Sequence, residues 1–309
     1  MSIGGMLSGI FVLPGLAVGI TGSSVWLAFL VAALCILPAV LSKSELGTAM
    51  PKSGGTYVYI ERAFGPLFGT IAGIGLWLSL LLKSAFSLVG LSAYLYVVVN
   101  IDEAYTKAIA LLALLLIFLL NVFGLKKVEK TQLFIVSVSL ISLIVIIVLG
   151  FSSFDTKLTE PVFSDGTNGF IAGVAFLYIS YAGVTKIAAI AGEIKNPAKN
   201  LPLTMIISLF LITTIYCMVA LALVGNVEAS ILATDIKPIH TLFQTIGGDT
   251  FGLVAGVVGA LTLLSMANSG VLASSRFPFA MSKDGLLPGY LSGINSKFMT
   301  PVSAILTTS

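Results

Sequence analysis

Two clusters of small residues inside otherwise apolar stretches carry the chemistry available to this sequence. The first is Ile3-Gly-Gly-Met-Leu-Ser-Gly-Ile-Phe11, followed directly by Val12-Leu-Pro-Gly15; the second is Tyr178-Ile-Ser-Tyr-Ala-Gly-Val-Thr185. A helix in hydrocarbon must satisfy its backbone groups internally, so a glycine-rich interruption is tolerated only against protein or a wet cavity. At such a break the new half-helix points N–H groups at an anion, and the freed carbonyls suit an ammonium or a metal cation. That pairing matches a zwitterion. The competing reading is plain packing, because small residues let helices approach closely.

Ionisable residues within apolar stretches are the second signal, since each costs several kcal/mol in a bilayer. Lys83 lies in Leu80-Leu-Leu-Lys-Ser-Ala-Phe86, and Lys186 follows the second small-residue cluster. Desolvation disfavours the charged form of a lysine, so either can exchange a proton or serve as a fixed cation in place of sodium. Snorkelling or a structural bond to carbonyls is the alternative. Asn268 and Ser269 offer oxygen ligands for sodium, or ordinary interhelical hydrogen bonds. Glu45, Glu193 and Arg276 stand at span ends and are expected in gate or loop ion pairs. His240, the single histidine, is expected in an outer loop behind Lys237-Pro238 with no partner cluster, so no metal site and no catalytic group are indicated. Cys35 and Cys217 each sit in an apolar run as packing residues.

The elements that must position these residues are membrane helices. The chain has 309 residues, 57% of them hydrophobic and 9% charged, far from the quarter-charged make-up of soluble domains. Its apolar runs are long and do not alternate, which excludes barrel strands. Cutting at charged, Gly, Pro and Asn clusters predicts one transmembrane domain over 1–309, with spans near 1–20, 24–42, 67–99, 107–124, 132–151, 169–192, 203–225 and 250–275 and a ninth beginning at Pro301. A short interfacial helix is expected over Thr56 to Phe64, with Tyr57, Ile60 and Phe64 on one face. The two small-residue clusters then fall in spans one and six, matching members of two five-helix halves, which is the strongest sequence pointer to a midplane site.

Lys43, Lys52, Arg62, Lys126, Lys127, Lys130, Lys195, Lys199, Arg276, Lys283 and Lys297 fall on one side of these spans, and only Lys107, Lys157 and Lys237 on the other. The basic side is cytoplasmic by the positive-inside rule, which places the amino terminus inside. A net charge of +3 is too small and scattered for nucleic acid.

Four segments in order resemble the amino acid-polyamine-organocation (APC) permeases: Gly5 to Gly15; Glu45-Leu-Gly-Thr-Ala-Met-Pro51-Lys-Ser-Gly-Gly55-Thr-Tyr57-Val-Tyr59; Glu193-Ile-Lys-Asn-Pro197 with Leu201-Pro202; and Arg276-Phe-Pro-Phe-Ala-Met-Ser-Lys-Asp284-Gly-Leu-Leu-Pro288. The resemblance runs along nearly the whole chain. It implies an all-α membrane protein, a multi-helix transporter bundle of five-plus-five inverted-repeat architecture with broken first and sixth helices. It further implies that substrate carboxylate meets the backbone of Gly5, Met6, Leu7, Ser8 and Gly9, and that substrate amine meets carbonyls at Ser180, Tyr181, Ala182 and Gly183. Lys186, Lys83 and Ser269 are then the candidates for coupling to a proton or sodium. Proton-coupled relatives carry a lysine in the fifth helix where this chain has Ser139, so that route is not expected here. The chain is expected to be truncated at both ends, leaving the second repeat incomplete. The expectation is therefore a multi-pass cell-membrane permease for amino acids or related amines, with no cofactor and no enzymatic activity. Its rivals are a transport-incompetent remnant or partner subunit and a membrane-embedded enzyme, against which stands the lack of clustered His, Asp or Glu within the spans.

Overall fold

The computed structural model describes residues 2–50, 55–99, 105–123, 127–163, 166–295 and 300–309, and these form an all-α bundle. Its helices are α1 (Ser2–Thr21), α2 (Val25–Ala49), α3 (Thr56–Phe64), α4 (Pro66–Val99), α5 (Thr106–Phe123), α6 (Lys127–Ser152), α7 (Gly166–Tyr178), α8 (Pro197–Val224), α9 (Ala229–Leu232), α10 (Pro238–Lys283) and α11 (Val302–Thr308). A 3₁₀ stretch, Ile179–Glu193, continues directly from α7. Of the residues marked in the sequence, 51–54, Lys126 and Lys297 lie outside the described residues. So do the side chains of Lys127, Lys130, Lys186 and Glu193.

Among the described residues six apolar helical stretches are long enough to cross a bilayer: Ile3–Ala49, Pro66–Val99, Thr131–Ser152, Gly166–Thr185, Pro197–Val224 and Pro238–Lys283. The first has 47 residues, about twice the roughly 20 that one crossing needs. It turns at Gly22–Ser24, where Gly22 has φ 65° and Ser24 Oγ donates to the Thr21 carbonyl at 2.8 Å. Hydroxyls thus take up carbonyls that the tight turn leaves open.

α1 is the centre of the bundle. Met6, Leu7, Ile10 and Phe11 are fully buried, and α1 packs against α7, the 3₁₀ stretch, α8 and α10. A helix apolar on all sides can be covered in this way. α5 and α6 instead expose Leu111, Leu112, Ile141 and Val148, as helices facing hydrocarbon do.

The structure departs from the expected elements in three places. α1 continues as an α-helix through Gly4, Gly5, Ser8 and Gly9, with Pro14 inside it, so the expected first break is absent. Its small residues serve close approach instead. The expected outer loop Asn226 to Asp249 contains α9 and the beginning of α10. Pro238 at the first turn starts that helix, and the Gly-Gly-Asp signal amounts to a kink at one residue, Gly248 with φ 75°. His240 is accordingly a helical residue, 6% exposed, rather than a loop residue. Finally α10 runs on through Arg276 to Lys283, where a loop was expected. α3 forms where predicted, bounded by Gly65 at φ 88°, but it buries Tyr57, Val58 and Tyr59 and leaves Phe64 72% exposed.

Candidate functional site

The second small-residue cluster is where the backbone changes. α7 gives way at Ile179 to 15 residues of 3₁₀ helix, a geometry that seldom persists beyond three or four residues and that inside a helix marks a hinge or strain. Ser180, Gly183 and Thr185 sit in this stretch. The Thr185 hydroxyl donates to the Ala182 carbonyl at 3.2 Å.

α1 lies directly on this stretch. A Cβ on Gly183 would stand 2.3 Å from the Gly5 carbonyl oxygen and 2.7 Å from the Met6 nitrogen, and a Cβ on Gly9 would stand 2.9 Å from Cβ of Ser180. The two small-residue clusters therefore meet, backbone to backbone, as the expectation of a shared locus requires. They meet by packing, and no space separates them at these five residues. Ser180 is completely buried, and its Oγ has no hydrogen-bond partner among the described residues.

Three tyrosines fix this contact. Tyr216 of α8 donates to the Met6 carbonyl, Tyr94 of α4 donates to the Phe11 carbonyl at 2.7 Å, and Tyr181 donates to the Phe29 carbonyl of α2 at 3.0 Å. Phe29, Tyr181 and Tyr216 form one ring cluster with centroids 5.0–6.4 Å apart. Sequence reasoning did not single out Tyr94 or Tyr216. Their signal is a phenol inside an apolar run, which needs a partner wherever it is buried.

Two cavities flank the contact. One, of about 350 Å³, is lined by Ser8, Gly9, Ser79, Lys83, Phe86 and Ile179 among others. The other, of about 130 Å³, is lined by Ala182, Thr185, Tyr178, Lys43 and again Ser79. The expected site residues are thereby divided. Ser8 and Gly9 face the larger cavity and Ala182 the smaller, while Gly5, Met6, Leu7, Tyr181 and Gly183 lie in the packed interior.

Lys83 is 8% exposed in mid-α4, and its Nζ donates to the carbonyls of Ile179 at 3.0 Å and Ser180 at 3.3 Å. These are the first carbonyls of the 3₁₀ stretch. Lys186 belongs to the same stretch.

Ser269 and Asn268 stand on a different seam. Gln132 Nε2 donates to Ser269 Oγ at 2.9 Å, and Asn121 Nδ2 donates to Asn268 Oδ1 at 2.7 Å. Gln132 Nε2 also lies 3.7 Å from where a Gly4 Cβ would be, so an amide donor stands between Ser269 and α1. That is the interhelical alternative for these two residues, and no cluster of metal-ligating side chains occurs among the described residues. Ser139, on the same seam, hydrogen-bonds Thr262.

At one end of the bundle two of the four marked segments join. Tyr57 donates to Asp284 Oδ2 at 2.6 Å across 227 residues. Burial first, then the hydrogen bond and charge of Asp284, push the Tyr57 phenol above its ordinary range and keep it a donor at neutral pH.

A family model described as amino acid permease matches residues 1–309. The chain is 28% identical to the branched-chain amino acid permease BcaP of Bacillus subtilis, over 98% of this chain and 70% of that protein. It is 29% identical to the serine/threonine exchanger SteT of the same organism, over 96% of this chain and 70% of that protein. With the chloroplastic cationic amino acid transporter 7 of Arabidopsis thaliana the identity is 24%, over 98% of this chain and 56% of the relative. The chain thus spans between a little over half and about seven-tenths of the length of these relatives.

Proposed function

This chain belongs to the amino acid permease family, is a multi-pass membrane protein, and on that premise we propose that it moves amino acids or related amines across a membrane by alternating access. The observation that carries the reading is the contact of α1 with the 3₁₀ stretch beside a cavity of about 350 Å³. An irregular helix at membrane depth is tolerated where it lines such a space, and paired elements of this kind form midplane sites between two halves that rock. We assign Ser8, Gly9 and Ala182 to the substrate path. Gly5, Met6, Leu7, Ser180, Tyr181 and Gly183 form the packed surface on which the two halves would move. The names of the relatives, an amino acid permease, a cationic amino acid transporter and a serine/threonine exchanger, supply the substrate class.

The proposed setting is the cell membrane, with the amino terminus cytoplasmic, because the basic loops cluster on that side. The inverted-repeat architecture is part of the same proposal. For coupling we favour a proton over sodium, since Gln132 presents a donor at Ser269. Lys186, within the 3₁₀ stretch, is the candidate carrier. Lys186→Met should remove the dependence of uptake on external pH, and an unchanged pH profile would eliminate that role.

Counterflow tests the function itself. Purified chain in liposomes loaded with an unlabelled amino acid should accumulate the same labelled amino acid from outside. Uptake no greater than in protein-free liposomes across a panel of neutral and cationic amino acids refutes the proposal.

A further inference from the structure

The smaller cavity is lined by polar side chains from several helices that the fold leaves unsatisfied. Lys43 comes from α2, Thr56 from α3, Ser79 from α4 and Tyr178 from α7, and none of the four makes a side-chain hydrogen bond or an ion pair among the described residues. Serines in the packed part of α4 behave otherwise: Ser84 and Ser87 donate to carbonyls four residues back, as a helical hydroxyl does when nothing else is in reach. Thr185 gives its proton to the Ala182 carbonyl and keeps acceptor capacity. No carboxylate among the described residues lines the cavity. Its polar wall is therefore one ammonium, three hydroxyls able to donate and one acceptor, a set that complements a carboxylate with an amine beside it. A volume of about 130 Å³ has room for about ten waters at one probe sphere each, or for an amino acid of about as many heavy atoms.

Lys43 and Thr56 belong to the end of the bundle at which Tyr57 meets Asp284, the cytoplasmic end in the proposed orientation. Ser79 lines the larger cavity as well, so the two cavities adjoin. A lysine near a helix end can simply extend toward the interface; the unpaired hydroxyls around the same space favour a site. We propose that the smaller cavity is a second substrate position on the cytoplasmic side of the path, in which the amino acid's carboxylate pairs with Lys43 and its amine donates to Thr185. Substrate occupies it between the cytoplasm and the contact of α1 with the 3₁₀ stretch. This rests on the transport reading and deepens it, because Lys43 then contributes to affinity at one face only.

Right-side-out and inside-out membrane vesicles from cells producing the full chain test this, with labelled leucine, serine and arginine as probes. The half-saturating concentration of each amino acid carried is measured at each face. In Lys43→Met it should rise by about ten-fold or more at the cytoplasmic face, the ratio that one charge-assisted pair supports, and stay within about two-fold at the outer face. Lys43→Arg, which keeps the charge, should stay within about three-fold of the parent at both faces. An unchanged cytoplasmic value in Lys43→Met, equal rises at both faces, or shifts of opposite sign, which mark an altered balance of conformations, overturn the inference and leave transport standing. Flux of all three amino acids through the parent no greater than in vesicles from cells without the chain defeats both. The parent alone supplies a second test, so a Lys43→Met variant that fails to fold does not protect the inference. At the cytoplasmic face 4-methylpentanoate, a carboxylate without an amine, should inhibit flux at concentrations about ten-fold or more below those of 3-methylbutylamine, an amine without a carboxylate. Inhibition by the amine as strong as by the carboxylate overturns the inference.

Discussion

Gly183 and Gly5 touch through their backbones: a single added carbon on Gly183 would lie 2.3 Å from the Gly5 carbonyl oxygen. The obstructing atom is main chain and cannot rotate away. Gly183→Ala should therefore destabilise the protein by about 1–3 kcal/mol, as overpacking does elsewhere. Gly75, in α4, has nothing within 4 Å of an added Cβ, so Gly75→Ala should stabilise by roughly 0.5–1 kcal/mol through helix propensity. Thermal unfolding of the two variants in the same detergent checks the opposite signs. A Gly183→Ala variant as stable as the parent would mean that α1 does not press on the 3₁₀ stretch.

Tyr57 and Asp284 tie α3 to the segment after α10. A neutral donor to a carboxylate in a half-buried place is worth about 1–2 kcal/mol, at the lower end for bonds to charged groups. A double-mutant cycle with Tyr57→Phe and Asp284→Asn should return a coupling energy of about 1 kcal/mol. Strictly additive losses would show that the two side chains do not act together.

The proposed orientation places the exposed Thr156–Thr159 turn outside the cell. Lys157→Cys in intact cells should react with a membrane-impermeant thiol reagent, read against a background in which Cys35 and Cys217 are replaced by serine. Labelling only after lysis would invert the topology.

The all-α class, the presence of long apolar helices, the short helix at Thr56–Phe64 and the change of backbone after Tyr178 were legible in the sequence, because period, composition and glycine punctuation each mark them, whereas the span expected over 250–275 is part of the longer α10. The state of α1 was not legible. Gly4, Gly5, Ser8 and Gly9 are equally the signature of a broken helix and of a helix closely approached, and only the positions of Ser180 and Gly183 across the contact decide between them. The loop expected before Asp249 failed for a related reason: Gly247-Gly248 reads as an end, whereas one residue at φ 75° lets α10 continue. Lys83 was marked by its cost in the membrane, but its partners are two backbone carbonyls nearly a hundred residues away, which no side-chain pattern announces. Asn268 and Ser269 were marked as candidates for interhelical hydrogen bonds, but their partners Asn121 and Gln132 lie on other helices far away in the sequence. Gly9→Leu would collide with Ser180 and so confuse lost binding with lost packing.

Ser79 avoids that difficulty. It lines both cavities and is exposed to them rather than packed, so Ser79→Trp fills the path while leaving the α1 contact untouched. Counterflow of labelled leucine into liposomes holding the parent chain or Ser79→Trp, matched for protein and unfolding temperature, is the most direct measurement. The account predicts accumulation by the parent and none above protein-free liposomes by the variant. Equal counterflow through both would place the substrate path elsewhere and contradict the site.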